Sequence, residues 1–202
     1  MMSGIEVTAD TRVARSRAER HLPGEEGVWV FIMGDMVVFA LFFAVFVWYR
    51  GLDPVLFSES QATLNAGYGL FNTCLLLTSS WFVVLAMNAV RRDLDRQAAL
   101  LFVLALLCGL GFSLIKVLEY SEKITADLTP LSNDFYMFYY ILTGLHFVHV
   151  IIGMVVMLFM ALLARRGVSR SGGLSFLEGG ASYWHMVDLL WIVLFPLIYL
   201  MK

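Results

Sequence analysis

The sequence predicts an all-α polytopic membrane protein, a bundle of five transmembrane helices behind a short polar tail. Three observations carry this. Of 202 residues, 60% are hydrophobic and only 15% charged, against nearly half and a quarter in ordinary soluble domains. The apolar excess is gathered into five blocks, each near or above the ~20 residues that cross a ~30 Å hydrocarbon core. Within the blocks the apolar runs are continuous, without the alternation of membrane β-strands.

Residues 1–27 read as a hydrophilic cytoplasmic tail with Arg12, Arg15, Arg17 and Arg20. It has no apolar stretch ahead of a cleavage site, so no secretory signal is expected. The helices are expected at about 28–49, 67–90, 98–120, 134–164 and 182–201. Between the first two, residues 50–66 read as a short polar loop. A Gly/Ser-rich loop to Ala181 is expected before the last helix, where Pro196 permits a kink. Cys74 and Cys108 lie inside apolar blocks and read as small buried hydrophobes.

Lysine and arginine placement gives the orientation. With the N-terminus inside, the inner segments hold ten basic residues, including Arg91, Arg92, Arg96, Arg165, Arg166 and Arg170. The outer segments hold three: Arg50, Lys123 and Lys202. This positive-inside bias puts the N-terminus in the cytoplasm and the C-terminus outside a bacterial inner membrane. Aromatic residues at block ends read as interfacial belts: Trp29, Trp48, Tyr49, Tyr120, the cluster Phe135, Tyr136, Phe138, Tyr139 and Tyr140, and Tyr183 with Trp184. Basic residues form only short clusters, so no nucleic-acid partner is expected.

Ionisable groups are costly in hydrocarbon and turn toward a bundle interior, which makes them the first candidates for function. Here they are Asp35, Lys116, Glu119, His146, His149, His185 and Asp188. His146 and His149, three apart, share a helical face roughly 16–21 Å from the outer end. They can ligate a haem, with His185 as a partner, or stay neutral and hydrogen-bond to neighbouring helices. Asp35 and Asp188 are expected roughly 10 Å from the inner side, with His185 one turn from Asp188. This set reads either as a proton-handling cluster or as links that fix helix packing. Lys116 and Glu119 can pair as a clamp, with Lys116 snorkelling outward. Asn72, Thr73, Thr78, Ser79 and Ser80 are small or hydrogen-bonding groups that suit close helix packing. No nucleophile–base pair, P-loop or haem-attachment motif is present.

At these same positions the chain resembles subunit III of the haem–copper oxidases. Tyr183-Trp184-His185-Met186-Val187-Asp188-Leu189-Leu190-Trp191 resembles the family's closing Y-W-H-F-V-D-x-x-W helix. The run from Thr143, through Gly144, His146 and His149, to Gly153 resembles its T-G-x-H-x-x-H-V-x-x-G helix. Asn72-Thr73 with Leu75 to Ser80 resembles its N-T-x-x-L-L-x-S-S helix, and Glu119-Tyr120 its E-Y pair. The resemblance implies that residues 28–202 form a subunit III-like domain that binds no haem or copper. Those would belong to a partner catalytic subunit of a haem–copper oxidase or nitric oxide reductase. This chain would pack beside it, carry structural phospholipid and sustain assembly and proton-linked turnover. On that reading Asp35, His146, His149, His185 and Asp188 form one interhelical polar seam with Glu119 at its outer end. Asn72, Thr73, Ser79, Ser80, Gly144 and Gly153 then serve helix packing.

Two departures matter. Typical members have seven helices, and this chain matches the last five. The family's S-E-x-M-F-F glutamate is replaced by Asp35 in Gly34-Asp35-Met36. With Leu22-Pro23-Gly24-Glu25 ahead of it, this is similar to the NorE-type accessory subunit of nitric oxide reductases. Subunit III of a cytochrome c or quinol oxidase is the alternative within the family. Rivals of other classes are a small b-type cytochrome and a transporter using Asp35 and Asp188.

Overall fold

A computed structural model describes residues 26–167 and 173–201. The tail arginines, the Leu22-Pro23-Gly24-Glu25 run, Arg170 and Lys202 lie outside the described residues. Among the described residues six helices follow one another: α1 (Glu26–Leu52), α2 (Pro54–Ala62), α3 (Ala66–Val90), α4 (Asp95–Thr125), α5 (Asp134–Arg166) and α6 (Leu174–Phe195). A five-residue π segment, Pro196–Leu200, continues α6. All but the short α2 are long and apolar enough to cross a membrane, and the described residues contain no strand.

α3 and α4 share the broadest interface, α4 packs on α5, and α6 lies between α5 and α3, closing a four-helix ring. α1 stands outside this ring, against α5 and α6. Its inward stripe of Ile32, Asp35, Met36, Phe39, Phe43 and Phe46 recurs every three or four residues, the spacing of one helical face. Val30, Met33, Val37, Leu41, Val45 and Trp48 on the other side are exposed. In a bilayer those apolar side chains meet lipid tails at no hydrophobic cost, so a peripheral helix needs only one packed stripe.

α6 is the hub. Trp184, Val187, Leu190, Trp191 and Leu194 are all buried. The indole of Trp184 occupies space left by two glycines. A Cβ on Gly153 of α5 would lie 2.7 Å from this ring, and one on Gly109 of α4 would lie 3.1 Å from it. Small residues let helix backbones approach where packing, rather than hydrophobicity, drives association.

Three expectations are corrected. The segment expected as a loop at 50–66 contains α2: the Asp53 side chain caps it, accepting from the Leu56 amide at 3.1 Å, and Pro54 opens its first turn. Phe57 then buries between Phe46 of α1 and Phe135 of α5. The last helix begins at Leu174 rather than near 182. Its Gly179 and Gly180 are packing residues, facing Val28 of α1 and Met160 of α5, and not loop glycines. Much of the presumed aromatic belt is core: Tyr139 is 0% and Trp184 1% exposed, against 69% for Trp48.

Replacing Gly153 with Val should overpack the Trp184 contact and cost about 1–3 kcal/mol of stability. Equilibrium unfolding of the full chain in mixed micelles would read this as an earlier transition. A transition at the wild-type position would mean that the indole has slack.

Candidate functional site

The buried polar residues fall into three separate groups rather than one seam. The first is near the α2 end. Lys116 and Glu119, one turn apart on α4, are each 1% exposed, with Lys116 Nζ 3.0 Å from Glu119 Oε2. Lys116 therefore does not snorkel outward as expected; it turns into the bundle because partners wait there. Its ammonium donates to the hydroxyls of Tyr199 at 2.8 Å and Tyr139 at 3.4 Å, which uses all three of its protons. Tyr199 in turn donates to Glu119 Oε1 at 2.6 Å. The rings of Tyr120, Tyr139, Trp191 and Tyr199 surround the ammonium at 4.9–5.5 Å from their centroids, within cation–π range. A buried charge is tolerable only when paired and hydrogen-bonded in this way. The cage joins α4, α5, α6 and the π segment at one point.

The second group ties α1 to the ring. Asp35 Oδ2 lies 3.2 Å from His149 Nε2, and His149 Nδ1 lies 2.8 Å from the carbonyl of Leu145. Phe39 stacks edge-on to the imidazole at 5.5 Å, and the Tyr183 hydroxyl donates to the His149 carbonyl at 3.3 Å. Asp35, nine residues into α1, thus lies level with His149, in agreement with the depths that helical counting gives the two residues from opposite faces.

The third group joins α3 to α6. Ser80 Oγ pairs with His185 Nδ1 at 2.7 Å, and Trp191 donates to Thr73 at 3.0 Å. Ser79 donates to the Ala105 carbonyl of α4 at 3.0 Å. Asp188 is buried, and its Oδ1 finds no hydrogen-bond partner among the described residues; neither does either amide atom of Asn72. His146 belongs to none of the groups. Its Nε2 donates to the Val187 carbonyl at 3.1 Å, and its ring packs on Phe112 and Trp191.

The three histidines therefore address α1, α3 and the α6 backbone, so His146 and His149 diverge although they are one turn apart. Among the described residues, no three His, Cys, Asp or Glu side chains converge as metal ligands. Gly144 has open space about its Cβ position apart from the Tyr120 hydroxyl at 3.9 Å, unlike Gly153. Sequence reasoning missed Tyr139 and Tyr199 as partners of the ion pair. The signal was a buried lysine that needed three acceptors, and Glu119 can supply only some of them.

Lys116→Met, which strands a buried carboxylate, is expected to cost about 3–5 kcal/mol. The double variant Lys116→Met/Glu119→Gln should recover part of that in equilibrium unfolding. Purely additive losses would argue against a coupled pair.

The chain has clear relatives. A family model described as cytochrome c oxidase subunit III matches residues 18–202. A cytochrome bo(3) ubiquinol oxidase subunit 3 from Buchnera aphidicola (subsp. Acyrthosiphon pisum) is 30% identical over 178 residues, covering 86% of this chain and 84% of the relative. A cytochrome c oxidase subunit 3 from Bacillus sp. (strain PS3) is 29% identical over 200 residues, covering 96% and 95%. A heme-copper oxidase subunit I+III from Aeropyrum pernix is 29% identical over 182 residues, covering 86% of this chain and 22% of the relative. With five apolar helices and a family match running over all of them, this multi-pass membrane protein belongs to the cytochrome c oxidase subunit III family.

Proposed function

We propose that the chain is the subunit III of a respiratory haem–copper oxidase, a non-catalytic partner that supports assembly and proton-linked turnover of an oxygen-reducing catalytic subunit. The observation that carries this reading is the family match over nearly the whole chain, with relatives named as subunit 3 of cytochrome c and ubiquinol oxidases. The Aeropyrum relative carries the names of subunits I and III in one protein, which supports a catalytic subunit I as the direct neighbour. Haem and copper belong to that neighbour. In this chain each membrane histidine is already committed to a different helix, an arrangement that serves packing rather than ligation.

The chain sits in a bacterial inner membrane with its N-terminus in the cytoplasm, as the basic residues near the starts of α1, α4 and α6 favour. An apolar cavity of about 400 Å³ between α1, α5 and α6, lined by Val28, Phe31, Ile152, Val156 and Tyr183 among others, suits a phospholipid acyl chain.

A second reading keeps the accessory role but assigns a nitric oxide reductase as partner. Asp35 within Gly34-Asp35-Met36 favours it. Affinity purification of the tagged chain in mild detergent separates the two. The proposal expects a haem-bearing partner whose membranes consume oxygen; nitric oxide consumption by the purified complex would select the second reading, and a chain recovered repeatedly without haem-bearing partners would reject both. In the complex, Asp35→Asn is expected to lower turnover while haem content stays at the wild-type level. Haem loss in that variant would contradict the accessory role.

A further inference from the structure

The Asp35–His149 contact fixes its own proton count. His149 Nδ1 faces the Leu145 carbonyl at 2.8 Å, and a carbonyl oxygen only accepts, so Nδ1 carries a hydrogen. The other ring nitrogen faces Asp35 Oδ2 at 3.2 Å. With Nδ1 protonated, a neutral imidazole offers only a lone pair at Nε2, and an ionised carboxylate offers only lone pairs too. The contact is bonding only if one more hydrogen lies between them. That hydrogen sits either on Nε2, giving imidazolium and carboxylate, or on the carboxyl, giving two neutral groups. Both forms hold the same single proton and have no net charge, which suits a site far from both ends of a membrane span.

Among the described residues, the titratable neighbours of this pair are already engaged. On α5 the nearest titratable group is His146, which is turned away to Val187. On α6 it is Tyr183, beside Asp35, whose hydroxyl is spent on the His149 carbonyl. The ion pairs of the described residues give Asp35 no lysine or arginine. His149 lies 15 residues beyond Asp134 and 17 before Arg166 on α5, roughly 22 and 26 Å from its two ends by helical rise. Asp35 is 20% and His149 14% exposed, so the pair lies at the edge of the bundle.

Loss of the proton has a structural consequence. One remaining hydrogen cannot serve both the Leu145 carbonyl and the carboxylate, so one contact must break. The contact to Asp35 is the one that spans helices. α1 lies outside the ring, and its other inward residues are apolar, so this bridge is its directional tie to α5. We propose that Asp35 and His149 form a one-proton binding site whose proton fastens α1 to the four-helix ring. The proposal goes beyond the accessory role and does not depend on which catalytic chain is the partner.

Nitrogen-15 NMR of histidine-labelled full-length chain in lipid nanodiscs, with infrared spectra of the aspartate carboxyl, tests the proton at neutral pH. The expected result is a protonated Nδ1 on His149 together with a hydrogen on either Nε2 or Asp35. A bare Nδ1, or an ionised Asp35 beside a neutral imidazole, would overturn the proposal. Amide hydrogen exchange tests the fastening. Asp35→Ala should speed exchange across the middle of α1 by about tenfold or more, as expected for losing a charge-assisted bond. Asp35→Asn should stay near wild type, because its amide can donate to Nε2 without a bound proton. Wild-type protection in Asp35→Ala, or equal loss in both variants, would refute the latch.

Discussion

The constraint that shapes this protein is the cost of leaving a polar side chain unpaired in hydrocarbon. Apolar contacts between helices cannot distinguish one neighbour from another when lipid tails are equally apolar. Direction comes from the few groups that must find partners. Lys116 and Glu119 are the strongest case: two buried charges whose protons and lone pairs are met by Tyr139 and Tyr199 from other elements. Because Tyr199 lies in the π segment after α6, the same cage holds the end of the chain in place. The rest of α6 follows, with Trp191 bonded to Thr73 of α3 and Trp184 seated against Gly153 of α5.

α1 is held differently. It has a single packed stripe, and the Asp35–His149 contact ties it to α5 within the span, while the core helices are joined through several links. α2 adds a clasp at the opposite end: Arg50 of α1 donates to Gln61 at 3.3 Å, and Asn133, at the start of α5, donates to Ser60 at 2.9 Å. Thr63, just beyond α2, pairs with Tyr136 at 2.7 Å. A helix held this way presents most of its length outward, to lipid or to another chain. That geometry suits the proposed role of a subunit that works through contacts and through the position of one helix.

Much of this was legible in the sequence. Run length and hydropathy identify the five spans, because crossing a hydrocarbon layer needs a long apolar segment whatever its neighbours. The ionisable residues worth attention could also be named, since charge inside such a run is conspicuous. Apart from the Lys116–Glu119 pair, which i, i+3 spacing suggested, their pairing could not be read. His146 and His149 share a face by spacing, yet a turn of roughly 60° between them, from three steps at ~3.6 residues per turn, is enough to aim them at different helices. Depth counted from a helix end failed for Asp188 because the last helix starts eight residues earlier than its glycines suggested. Glycine reads as a loop in isolation and as close packing once Met160 and Val28 lie against it. Tyrosines were ambiguous for a similar reason: Tyr139 sits among residues typical of an interface, and only the buried lysine beside it makes it core.

Whether this chain carries electrons itself decides its role. The decisive measurement is a reduced-minus-oxidised visible spectrum of the chain after purification from its native membrane and separation from its partners. The account predicts no haem α-band in the isolated chain, with the haem absorbance found in the released partner fraction. An α-band at one haem per chain, persisting through the separation, would contradict it.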